Sequence, residues 1–102
     1  MSERYLSAQI QRVLATIELM AGREIEGAEP GKLAAELGCS PADMTRVLAN
    51  LEHAGWAERL TKNQQRWRLN KKPVQVSNTV AHNYATALNS LRIERDNYSL
   101  LR

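Results

Sequence analysis

The chain has 102 residues, 43% of them hydrophobic and 25% charged, with three prolines, one cysteine and a net charge of +3. Such values describe a small globular chain with room for one modest core, and they exclude both a disordered polyelectrolyte and a second domain with a core of its own. No apolar run approaches the roughly 18 residues of a membrane span, the opening MSERYLSAQIQ lacks the apolar stretch of a signal peptide, and Cys39 has neither a disulfide partner nor a zinc-ligand spacing around it. A cytoplasmic chain without metal or cofactor is expected.

In chain order, SAQIQRVLATIELMAG places Ile10, Val13, Leu14, Ile17 and Met20 at helical spacing, with Ser7 as cap and Gly22 as stop. REIEGAEPG follows as a turn-rich connector whose large apolar residue is Ile25; a connector of this kind contributes one short strand. Pro30-Gly31 opens a second helix with Leu33, Ala34 and Leu37 inward, ended by Gly38, where a left-handed residue costs glycine nothing. Ser40-Pro41-Ala42-Asp43 is a strong helix start: a serine that accepts a backbone N–H, a proline at the first position and an acid at the positive end of the dipole. Met44, Val47, Leu48 and Leu51 then form the buried stripe of a helix over 41–54, closed by Gly55. Thr45, Arg46, Asn50 and His53 remain on its other sides.

After Trp56 the period changes from helical to alternating. AERLT and RWRLN flank the polar loop Lys62-Asn63-Gln64-Gln65 and read as a β-hairpin, with Trp67 and Leu69 on one face and Arg66, Arg68 and Asn70 on the other. Lys71-Lys72-Pro73 ends this unit. The remainder is helical, with Val80, Tyr84, Ala87, Leu88 and Leu91 along one side and Tyr98 and Leu101 extending the seam. The expected architecture is mainly α with a small β-hairpin: a winged helix-turn-helix over residues 1–72, then a long C-terminal helix over 73–102.

Charge is segregated along this order. Residues 1–58 carry nine acids against five Lys/Arg, whereas 59–72 carry Arg59, Lys62, Arg66, Arg68, Lys71 and Lys72 and no acid. A cationic hairpin directly after a helix-turn-helix is the electrostatic footprint of a polyanion binder. The sharp turn at 38–40 lets the second helix of the pair project into a major groove. The expected interface is therefore Ser40, Pro41, Ala42, Thr45, Arg46 and Asn50 on the helix, with Arg59, Lys62, Gln64, Arg66, Arg68 and Lys71 on the wing. Arg46 has a competing role as a surface ion pair with Asp43 or Glu52. Trp56 and Trp67 are expected to pack rather than to stack on bases. There is no paired-carboxylate site, no Ser/His/Asp arrangement and no phosphate-cradling glycine loop, so no catalysis is expected.

The segments QRVLATIELM, LAAELGCSPADMTRVLANLEHAGWAERL and RWRL resemble the N-terminal DNA-binding domain of IclR-type transcriptional regulators. The matching positions are Gln11-Arg12, Leu33-Ala34, Gly38, Ser40, Arg46, Leu48, Leu51, Gly55 and Leu69, spread over residues 8–70. The resemblance implies a winged-helix regulator that binds double-stranded DNA. Family members continue into a large effector-binding domain, for which the thirty residues after the hairpin are too few, so no small-molecule effector is expected. Asp43 departs from the pattern as an acid near the reading end of the helix. The coiled-coil-like stripe of the last helix predicts a homodimer, the alternative being that this helix folds back over the winged-helix core, and a small regulator of this kind would suit a phage or mobile element. The competing class is a winged helix used for protein contact, its basic hairpin docked on an acidic partner.

Overall fold

The computed structural model describes residues 3–100. After a single 3-10 turn at Glu3–Tyr5 come helices α1 (Ala8–Met20), α2 (Pro30–Leu37) and α3 (Pro41–His53), strands β1 (Ala57–Arg59) and β2 (Trp67–Leu69), and helix α4 (Lys71–Tyr98). The chain divides between Lys72 and Pro73 into two compact units.

In the first unit the helix starts follow from local chemistry. The Ser7 hydroxyl accepts the Ile10 N–H at the head of α1. At α3 the cap is reciprocal: the Ser40 hydroxyl accepts the Asp43 N–H at 3.0 Å, and the Asp43 carboxylate accepts the Ser40 N–H at 3.4 Å. Between α2 and α3, Gly38 takes φ +64°, a left-handed conformation that lets the chain reverse within two residues. α3 ends at His53, with Ala54 as its C-cap, one residue short of the helix read over 41–54.

The core lies where α1, α2 and α3 meet the hairpin. Met20, Leu33 and Met44 are fully inaccessible, and Ala34, Val47, Leu48, Leu51, Ala57 and Trp67 close around them. Full burial of each large side chain contributes about 1.5–3 kcal/mol. The stripe expected on α3, Met44–Val47–Leu48–Leu51, is the buried one. The stripe expected on α1 is rotated: Ile10 and Leu14 are exposed, Val13 and Ile17 are half-buried, and Thr16 takes an interior position beside Met20. Thr16 is tolerated there because its hydroxyl donates to the Arg12 carbonyl at 2.7 Å, so no buried donor is left unmade.

The hairpin is shorter than its alternating sequence implies. Three antiparallel pairs form, Ala57↔Leu69, Glu58↔Arg68 and Arg59↔Trp67. Beyond them the pairing loosens to the bonds Leu60 N to Arg66 O and Arg66 N to Asn63 O. The connector's short strand reduces to a single bridge, in which Ala28 and Trp67 exchange backbone bonds of 2.7 and 3.0 Å. Gly27 makes that approach possible: its φ is +79°, and a Cβ there would stand 2.6 Å from Leu60 Cδ1 and 2.8 Å from Arg66 Cβ.

α4 starts earlier than the sequence suggests. Lys71-Lys72-Pro73 does not interrupt the chain, because Asn70 Oδ1 accepts the Lys71 N–H at 2.7 Å and Pro73 falls in the first turn, where no N–H is needed. None of its residues is buried, and the apolar seam Val80, Tyr84, Leu88 and Leu91 is more than half exposed. Leu101, placed at the end of that seam, lies outside the described residues.

Candidate nucleic-acid interface

Burial of one stripe of α3 leaves Pro41, Ala42, Thr45, Arg46, Ala49 and Asn50 on its exposed side. Two of the polar side chains are held by the helix itself. The Thr45 hydroxyl donates to the Pro41 carbonyl at 2.9 Å, and the Asn50 amide donates to the Arg46 carbonyl at 2.8 Å. Both keep an oxygen free to accept, and breaking either bond costs little at an exposed site. Arg46 extends into solvent with its side chain 75% exposed and stands 3.5 Å from Asp43, the ion pair weighed against a DNA role.

The pKa of Asp43 is displaced. Hydrogen bonding from Ser40, side chain first and backbone second, holds its carboxyl below the ordinary aspartate value, and the nearby guanidinium groups of Arg12 and Arg46 act in the same direction. Arg12 is a member of this site that sequence reasoning left in the helix motif. It comes from α1, and with Ile10, Asp43, Arg46 and Asn50 it lines a groove of about 310 Å³ between α1 and α3.

The hairpin treats its cations unequally. Glu58 faces Arg68 across the ladder, and their side chains pair at 2.9 Å. Arg66 reaches back to the connector, pairing with Glu29 and donating to the Glu26 and Gly27 carbonyls at 3.2 and 3.4 Å. Arg59 lies over the Trp67 ring, 5.0 Å from its centre, and donates to the Gln64 carbonyl. Lys72 donates to the Ala54 carbonyl at the C-terminus of α3. Lys62 and Lys71 are exposed and make no ion pair among the described residues. The acid-free stretch thus gains carboxylate neighbours in space, from Glu29 and Glu58. Only the second was legible, since alternation places it opposite Arg68 once the hairpin register is known.

Helix and wing face each other across a second hollow, of about 580 Å³, lined by Thr45, Ala49, Glu52, Arg59, Gln64 and Trp67. Of the expected interface residues, Thr45, Arg59, Gln64 and Arg66 line this hollow; Arg46 and Asn50 line the α1–α3 groove. Arg68 belongs to neither and lies with Lys62 near Ile25 and Leu60 on the outer side of the hairpin. No group of three or more His, Cys, Asp or Glu side chains among the described residues could hold a metal ion. No helix among them is long and apolar enough to cross a membrane.

An exposed polar helix face beside a cationic β-hairpin, behind a tight helix-turn-helix, defines a winged-helix protein. Solved structures share this fold. A mutant of Lactococcus lactis ZitR in apo form superposes with a TM-score of 0.54 at 22% identity, over 87% of this chain and 68% of that one. A mutant of S. aureus MepR gives 0.52 at 13%, over 87% and 66%. Streptococcus pneumoniae FabT in complex with DNA gives 0.51 at 20%, over 99% and 67%. ZitR is described as a zinc-responsive MarR family member. At these identities the likeness is one of fold, and the chain spans about two thirds of the length of those proteins. No protein-family model matches the chain, and no curated protein matches it in sequence.

Proposed function

We propose that the protein is a transcriptional regulator that binds double-stranded DNA sequence-specifically, with α3 in the major groove and residues 59–72 on the backbone or in the minor groove. The observation that carries this reading is the outward face of α3, which exposes Thr45, Arg46 and Asn50 and on which Thr45 borders the hollow shared with a hairpin whose Lys62 makes no ion pair among the described residues. FabT, which shares the fold, was solved in complex with DNA. Base reading falls to Thr45, Arg46 and Asn50, with Ser40, Pro41 and Ala42 at the end of the helix that enters the groove. Lys62, Gln64 and Lys71 face phosphates, while Arg59, Arg66 and Arg68 shape the wing as much as they charge it.

The regulator reading rests on what the IclR-type motif and the MarR-type neighbour have in common, a helix-turn-helix followed by a wing. The IclR-type assignment stands on the motif of residues 8–70 alone. The reading places the protein in the cytoplasm and includes no catalysis, cofactor or small-molecule effector; zinc response is a property described for ZitR. It includes a homodimer through residues 73–102, because one winged helix reads a short site and a second on the same duplex raises affinity through effective concentration.

A protein-contact module is the second reading, favoured by the pairing of Arg66 and Arg68 with acids of their own chain. Mobility-shift titrations against genomic and random duplexes at two salt concentrations separate the two. A DNA binder loses affinity with salt at a log–log slope of about −0.9 per phosphate contacted. Failure to retain any duplex at physiological salt would leave the protein-contact reading standing.

A further inference from the structure

The acid at the reading end of α3 is unexpected in a DNA-contacting face, and its surroundings give it a task. Asp43 sits in the first turn, and Arg46 follows it at i+3 on the same side of the helix. One carboxylate oxygen, Oδ2, is held by the Ser40 N–H at 3.4 Å; the other, Oδ1, faces Arg46 Nη1 at 3.5 Å. The Asp43 side chain is 33% exposed and that of Arg46 75% exposed, so neither is withdrawn from a ligand lying on this face. Arg12 adds a second guanidinium to the same groove. Two cations beside one carboxylate offset the repulsion that a lone acid would feel from phosphates. The anchored carboxylate also restrains the longest side chain on the face.

We propose that Asp43 and Arg46 form a two-residue reader of a step containing guanine and cytosine. This rests on the DNA-binding reading above. Arg46, held on one edge by Asp43, presents its remaining N–H groups to guanine O6 and N7. Asp43, which as a carboxylate can only accept, takes a hydrogen bond from the N4 amino group of a cytosine in the adjoining pair. Each half matches the donor and acceptor pattern that those bases show in the major groove. Asp43 is thus a specificity-determining residue as well as a helix cap.

In vitro selection from a randomised duplex pool, with the full chain as wild type and as Asp43→Asn, tests this. The wild type is expected to enrich a motif with guanine and cytosine fixed at adjoining pairs. Asp43→Asn should lose the cytosine and shift toward adenine, which asparagine reads in bidentate fashion. A measurement on the wild type alone guards against misfolding of the variant: replacing that cytosine by thymine in the selected duplex puts a carbonyl where the amino group stood, and should weaken binding about tenfold. An identical motif for wild type and Asp43→Asn, or no loss with thymine, overturns the pair and leaves Asp43 a cap. A wild type that enriches no motif at all overturns the DNA-binding reading itself.

Discussion

Lys62 and Arg66 lie four residues apart in the same basic hairpin, and the structure gives them different work. Arg66 is about two thirds buried and holds Glu29 and two connector carbonyls, whereas Lys62 is exposed with no ion pair among the described residues. Lys62→Ala should therefore leave thermal stability unchanged and reduce the salt slope of duplex binding by about 0.9, one phosphate contact. Arg66→Ala should instead lower stability, by roughly 1–2 kcal/mol, because its hydrogen-bonded partners lose a charged donor; denaturant titration measures it. On α3, Arg46→Ala should cost about 1–3 kcal/mol on a selected site and less on random DNA. Equal losses on both would make Arg46 a phosphate contact. Asp43 titrates below its ordinary value, so its contribution to stability is complete above about pH 4 and is lost as the pH falls through its lowered folded-state pKa. Asp43→Asn should remove that part of the acid limb, read as Tm between pH 2 and 5 in roughly half-unit steps.

At the scale of elements, α3 depends on its cap and its stripe, and the hairpin depends on one glycine. Ser40→Ala should cost about 1 kcal/mol through the lost Asp43 N–H bond. Leu48→Ala, at a site 2% exposed, should cost about 2–5 kcal/mol. Gly27→Ala adds strain of about 1–3 kcal/mol from its positive φ, and its Cβ would also meet Leu60 and Arg66. That variant should loosen the bridge between Ala28 and Trp67, which amide exchange at those two residues would report; unaltered protection there would show that the connector tolerates a side chain. The sequence showed Gly27 only as one more small residue in a turn-rich connector. Its necessity comes from Leu60 and Arg66, more than thirty positions away, whose approach no local pattern encodes.

For the whole molecule the open element is α4, 28 residues long without one buried side chain. From Pro73 to Leu91 it carries no Lys, Arg, Asp or Glu, while its exposed residues include Val80, Tyr84, Leu88 and Leu91. A second copy of the chain would cover such a surface with like against like, which no charge opposes. Sedimentation equilibrium at micromolar concentration should give a dimer for the wild type and a folded monomer for Leu91→Asp. A wild-type monomer at every concentration ends the dimer proposal, and with it the roughly palindromic target that two-fold symmetry implies.

Read alone, the sequence determined the elements whose signals are local. Gly38, the Ser40–Asp43 cap and the Met44–Val47–Leu48–Leu51 stripe are all encoded within a few residues, and they fixed α2, the turn and α3, and hence which face of α3 looks outward. The order of three helices, a hairpin and a last helix was enough for the winged-helix architecture. Tertiary structure decided what depends on partners distant in sequence. It turned α1 so that Thr16 rather than Ile10 and Leu14 faces inward, because the direction of a helix face is set by what packs on it. It carried α4 back through Pro73, since a proline in the first turn breaks no hydrogen bond. It also set Glu29 and Glu58 against Arg66 and Arg68, and Arg59 over Trp67, dividing an acid-free basic stretch into cations that hold the wing together and cations, Lys62 and Lys71, without an ion pair among the described residues. Linear charge counting cannot make that division, because an ion pair depends on distance in space: Glu29 reaches the wing, and Glu58 comes to lie opposite Arg68, only after the chain has folded.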